Sequence, residues 1–400
     1  MKKISEIELN KWVKYTIVGT IIVVLALVSA YLVNVGIDIM INRGDRIPVD
    51  NSTPADGGEE IWPKEYSLSM AMVGDALIHG AIWFDARRPD GSFDFKPQLQ
   101  YIKPIISEFD IAFYNAETVF GGPEFGWTSF PRFNTPSEFG DAMIDAGFNM
   151  VAQANNHTMD MGARGVENNL AWWGQQEGIL RAGSYLSEEE RITPKIVEKN
   201  NITYTLLAYT MLNNGLPNPR GREYMNNMFS KEKARADIER VRDLVDVLVV
   251  SIHWGAEYVH APDAQQREIA QFFADMGVNI LIGHHSHVLQ PIGMIGDMIV
   301  YYSLGNFFSA QITDNQLTGV IASLRITKFV YQDGTSRIEL GDFENELIWT
   351  AKRNRPFPNT RIIPFRDLND HILPGFRRVH EQNAAFLRRF DDTIPVMGLE

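Results

Sequence analysis

Gly283-His284-His285-Ser286-His287 follows the apolar run Asn279–Ile282 and leads into Val288-Leu289-Gln290. Three imidazoles in four positions after a strand cost desolvation free energy unless they bind something. His285 and His287, two apart, can present nitrogens to one metal ion or to adjacent ones. Strand C-terminal ends are where open α/β sheets place their ligands.

Four further predicted strands end in polar chemistry. Gly74-Asp75 closes Leu68–Val73, with His79 four residues on. Asn115-Ala116-Glu117 closes Asp110–Tyr114. Asn155-Asn156-His157, with Thr158, Met159 and Asp160, follows Asn149–Ala152. His253-Trp254-Gly255 closes Val247–Ile252. Singly, each has a plain structural reading as a turn carboxylate, a turn amide or a packed histidine. Together they supply one Asp, one Glu, one Asn and several His, and the chain holds no cysteine. Mixed oxygen and nitrogen donors without sulfur suit manganese, iron(II) or zinc. Two such ions about 3.5–4 Å apart are a phosphoryl-transfer arrangement.

Between these segments the pattern alternates strand and helix, the mark of an α/β fold with a central sheet. Thr135-Pro136-Ser137-Glu138 reads as a capping box with proline at the first helical position, opening a helix to about Ala146. Gly165–Gly178, Ser230–Leu244, Asp263–Met276 and the Arg- and Phe-rich Asp367–Phe390 read as helices. Thr203–Tyr209 and Met298–Ser303 read as strands. After Gly319 the chain turns strand-rich, with Asp333-Gly334 as a hairpin signal.

The segments in series resemble the capsule-synthesis CapA/PgsA family, a branch of the calcineurin-like metallophosphoesterase superfamily. Gly74-Asp75, Asn115-Ala116-Glu117, Asn155-Asn156-His157, His253-Trp254-Gly255, Gly283-His284-His285-Ser286-His287 and Ser303-Leu304-Gly305-Asn306-Phe307 carry the resemblance, over about residues 66–365. It implies a four-layer αββα sandwich with one or two divalent metal ions at the strand ends. It also implies Asp75, Glu117, Asn156, His253, His285 and His287 as metal ligands. His157 would be the catalytic group that assists the leaving oxygen. Three positions depart from the wider superfamily: Asp75 has no histidine two residues on, Glu117 stands for an aspartate, and His284 for a glycine.

The N-terminal 65 residues have another character. Tyr15 to Ile37 is a run of 23 residues without a charge, long enough at about 1.5 Å per residue to cross a bilayer core of about 30 Å. Lys2, Lys3, Lys11 and Lys14 precede it, which orients residues 1–14 to the cytoplasm and the rest outside. A cleaved signal peptide ending at Val28-Ser29-Ala30 is the competing reading, with a buried soluble helix as the third. Residues 38–65 read as an acidic linker, 66–365 as the metal-binding domain and 366–400 as a helical extension.

The 400 residues carry 37 basic and 50 acidic side chains, a formal charge of −13. That balance argues against a nucleic-acid partner. The absence of cysteine removes thiol nucleophiles, zinc–thiolate sites and disulfides. The family resemblance implies a single-pass protein of the cell membrane that acts in capsule or poly-γ-glutamate biosynthesis. Its partners would be the membrane subunits of the polymer synthase and the anionic polymer itself. A metal-dependent hydrolase and a non-catalytic accessory subunit of the synthesis and export complex both fit this role. A general extracellular phosphodiesterase is a third reading.

Overall fold

Along the first strand Leu68, Met70 and Met72 pack into one apolar cluster, while Ala71 and Val73 pack into another. A strand whose two faces are both buried needs a layer on each side. In the computed structural model, which describes residues 62–352 and 359–399, those layers are a second sheet on one side and helices on the other.

Strands β1 (Lys64–Leu77), β2 (Ile111–Asn115), β3 (Met150–Ala152) and β4 (Leu180–Ala182) run parallel as neighbours. The chain then builds a second, six-stranded sheet from β5 (Val197–Lys199), β6 (Ile202–Thr210), β7 (Val247–His253), β8 (Ile280–His284), β9 (Ile292–Ile295) and β10 (Met298–Tyr301). It returns to the first sheet with β11 (Asn306–Ser309), β12 (Thr318–Val330), β13 (Ser336–Ala351) and β14 (Arg361–Pro364), making eight strands there. β12, β13 and β14 extend that sheet antiparallel from β1, and β11 lies parallel to it.

Met70, Phe113 and Met150 of the first sheet meet Leu206, Val249 and Ile282 of the second in a shared core. On the far side of the first sheet, Val73, Tyr114 and Val151 pack with Phe139 and Met143 of the helix Glu138–Asp145. On the far side of the second, Val250 and Leu281 pack with Ile238 of the helix Lys231–Val241 and Phe273 of the helix Ala264–Asp275. Each fully buried Leu, Ile, Met or Phe contributes about 1.5–3 kcal/mol. The result is a mixed α/β sandwich.

Register decides where the polar residues fall. Asp75 pairs with Asn115 on one side and Asn306 on the other. His253 pairs with His284 in the second sheet. The parallel strands of each sheet therefore present their chemistry at a common end.

Several local expectations need correction. β1 begins at Lys64, so the strand starts inside the segment read as linker. The capping box at Thr135 does not form: the helix starts at Glu138 with no side-chain cap. Thr135 Oγ1 instead lies 2.6 Å from Thr118 Oγ1, next to Glu117. The helix read at Gly165–Gly178 runs Gly162–Trp173, and the stretch Asp367–Phe390 narrows to Phe376–Leu387, entered through Gly375 at φ +73°. Among the described residues no helix is long and apolar enough to cross a membrane. The span predicted at 15–37 lies outside them.

Candidate metal centre

Two glycines without a Cβ let the strand ends come together. A Cβ on Gly74 would sit 1.9 Å from Gly305 O, and one on Gly283 would sit 2.1 Å from Tyr302 O. The first close approach allows Asp75 N to donate to Gly305 O at 3.0 Å. After β8 the backbone turns sharply. His285 and His287 hold φ of +90° and +55°, which few non-glycine residues adopt. Such strain is found where surrounding structure enforces a functional geometry. Here His285 N donates to Asp75 Oδ2 at 3.1 Å, a bond between the two sheets. Ser286 Oγ donates to Val288 O at 2.7 Å and closes the turn.

The side chains converge in overlapping triads. Glu117, His253 and His285 each bring one donor atom within 4.8 Å of the others, and so do Asp75, Glu117 and His287. His253 Nε2 is 3.1 Å from His285 Nδ1 and 3.4 Å from Glu117 Oε1. His287 Nδ1 is 3.4 Å from Asp75 Oδ2, 3.7 Å from Glu117 Oε2 and 2.9 Å from Asn306 Oδ1. Asn115 Nδ2 donates to Asp75 Oδ1 at 2.8 Å. Asp75, Glu117 and His253 are fully buried.

These donors fit a divalent cation. Both Glu117 oxygens are buried without a hydrogen-bond partner, and so is Asn156 Oδ1. An unsatisfied buried acceptor costs about 1–3 kcal/mol, more for a charged one, and a cation removes that cost. The electrostatics point the same way. Burial first, then the carboxylates of Asp75, Glu257 and Asp160, pushes Glu117 well above the usual carboxylate range. Burial would also raise Asp75, but His284 and His287 outweigh it and hold its carboxyl well below normal. Burial and then the neighbouring imidazoles lower His253 well below its usual value and His285 to about 3. Neutral imidazoles keep a lone pair free for a metal.

The other expected residues sit nearby. Asn156 Nδ2 donates to Asn214 Oδ1 at 3.2 Å, and its bonds do not run to the carboxylate–histidine cluster. Its neighbour Asn155 does reach toward it, donating through Nδ2 to Ala116 O at 2.9 Å. His157 Nδ1 lies 2.8 Å from Asp160 Oδ2, and its ring stands edge-on to Phe133. His79, half-buried, has Nδ1 3.0 Å from Leu77 O, and burial lowers it to about 4. His284 stacks on Phe113, with Nδ1 3.1 Å from Asp75 Oδ1 but off hydrogen-bonding geometry.

Sequence reading missed Glu257, which forms a third triad with His285 and His287. It also missed Asp160 as the partner of His157, although their spacing of three was visible.

A profile of the bacterial capsule synthesis protein PGA_cap matches residues 69–311, the span that contains every one of these site residues. The chain belongs to that family. Within it, the PGA biosynthesis protein CapA of Bacillus subtilis (strain 168) is 30% identical over 297 residues, 69% of this chain and 72% of that one. The capsule biosynthesis protein CapA of Bacillus anthracis is 30% identical over 257 residues, 60% of this chain and 59% of that one. Among solved structures, TT1561 of Thermus thermophilus is similar at a TM-score of 0.35 and 9% identity, covering 68% of this chain and 98% of that one. A purple acid phosphatase from yellow lupin seeds is similar at 0.36 and 10%, covering 70% and 54%.

Proposed function

We propose that this family member is a membrane-anchored, extracytoplasmic, metal-dependent hydrolase of the phosphoesterase type. It acts in the biosynthesis of a capsule polymer such as poly-γ-glutamate, beside the membrane subunits of the synthase. The observation that carries the reading is Glu117, whose two unpartnered oxygens are common to two donor triads at the ends of parallel strands. Helices packed on the outer face of each sheet support the four-layer αββα arrangement. Divalent cations bound there would supply Lewis acidity and a nucleophile at neutral pH.

The chain's own groups supply the rest. Asp75 and Glu117 would balance the charge of a bound cation, and His253, His285 and His287 would offer it nitrogen donors. Asp160 Oδ2 accepts from Nδ1–H of His157, which leaves Nε2 to exchange a proton with a leaving oxygen. Such a proton transfer is worth about 10²–10⁴ in rate. The edge of Phe133 fixes the ring and, with the buried surroundings, excludes water.

The test is His157→Gln in a deletion strain, compared at equal protein level. The hydrolase reading expects the variant to fold, reach the membrane and keep its metal content, with capsule polymer lost. Near-normal polymer from that variant would refute catalysis and leave the accessory-subunit reading.

A further inference from the structure

Glu257 is the one member of the donor triads that is exposed; every other member is buried. It lies in the turn after β7, between His253 and the helix Ala264–Asp275. One of its carboxylate oxygens and one nitrogen from each of His285 and His287 lie within 4.8 Å of one another.

The turn is held in place. Gly255 takes φ +77°, where a Cβ would press 2.7 Å from the Gln266 side chain. Tyr258, which is not glycine, takes φ +65°. Its N–H donates to Ser286 O at 2.7 Å, which fastens the turn to the histidine loop. A second tie runs through side chains. Gln311 Nε2 donates to Tyr258 Oη at 3.4 Å, Asn306 Nδ2 donates to Gln311 Oε1 at 2.9 Å, and Asn306 Oδ1 faces His287 Nδ1.

We propose that Glu257 is an outer acidic ligand that, with His285 and His287, secures the second of two divalent cations on the solvent side. Its consequence is the sign of the charge carried by the ions and their carboxylate ligands. Asp75, Glu117 and Glu257 bring three negative charges. One divalent ion leaves the site at minus one, which repels an anionic substrate. Two ions bring it to plus one, which attracts such a substrate at close range. The link to an anionic substrate rests on the hydrolase reading above; the ion count does not.

The experiment titrates cobalt(II) into the metal-stripped full-length chain in detergent, following the visible absorption of the ion and the bound cobalt. Wild type takes up two ions in two steps. Glu257→Gln retains the first step and weakens the second by more than the ~10–100-fold that loss of an outer-shell partner costs. Glu257→Asp recovers part of that affinity. Both variants melt like wild type without metal, because the side chain is exposed. Inorganic phosphate binds the wild-type protein only after the second step. Two unchanged steps in Glu257→Gln would overturn the role of Glu257 and leave the hydrolase reading standing. A single step in wild type would overturn the proposal as well, and no uptake at all would sink the metal-dependent reading with it.

Discussion

Gly74→Ala tests whether the first sheet closes around the centre as tightly as the geometry requires. The new methyl would meet Gly305 O at 1.9 Å and Gly305 C at 2.8 Å. Both contacts are backbone, so no rotamer relieves them. The segments must part by about 1.5 Å to reach ordinary van der Waals separation. Overpacking of this kind costs about 1–3 kcal/mol. The separation also breaks the bond from Asp75 N to Gly305 O, and a buried N–H left without a partner costs about 1–3 kcal/mol more. We expect a loss of about 2–6 kcal/mol from these two effects, a large part of the 5–15 kcal/mol typical of a folded domain. Guanidinium unfolding followed by tryptophan fluorescence, with a chelator present, measures it. Gly341→Ala is the control, since nothing lies within 4 Å of its added methyl, and it should stay near wild type. A Gly74→Ala protein within ~1 kcal/mol of wild type would show that the approach of Gly305 is not needed.

Two further outcomes are expected. Asp237→Ala removes a buried carboxylate that Arg191 holds at 2.9 Å and to which Tyr209 Oη donates at 3.1 Å. It should cost about 1–3 kcal/mol, because the buried Tyr209 hydroxyl and one edge of the Arg191 guanidinium lose their acceptor while Glu188 still pairs with Arg191 at 2.7 Å; less than ~0.5 kcal/mol by denaturant titration contradicts this. For topology, protease added to intact, wall-stripped cells should digest the domain from residue 66 onward, and protection of that domain would end the outside assignment.

How legible the molecule was depended on the length of each signal. β7 and β8 are apolar runs of regular strand length, so their histidine-bearing ends could be placed from pattern alone. β3 and β4 span three residues each; a run that short shows no periodicity, and β4 was not foreseen. β11 was absorbed into a motif because its strand character comes from pairing with β1 rather than from composition. Thr135 misled because a cap signature is local, whereas its hydroxyl is taken by Thr118, 17 residues away. Asp75, Glu117, His253, His285 and His287 converge in overlapping triads because each stands at or just beyond the end of a strand. Asn156 also stands beyond a strand end, that of β3; its Nδ2 donates to Asn214 and its buried Oδ1 has no partner. Glu257 was invisible. An exposed acid in a turn is ordinary, and the positive φ of Gly255 and Tyr258 on either side of it shows only in the folded chain.

The bond from His285 N to Asp75 Oδ2 joins residues 210 positions apart, in a chain that has no cysteine to cross-link. Closing even a 100-residue loop removes about 4.7 kcal/mol of unfolded-chain freedom by loop-entropy reckoning. A cation gripped by Asp75 from one sheet and His285 or His287 from the other side would close a loop twice that long. It would act as a clasp across the interface as well as a reagent. Such a clasp opens by dilution or chelation rather than by reduction. The persistence of this protein would then follow the supply of a free metal ion in its surroundings, not their redox state.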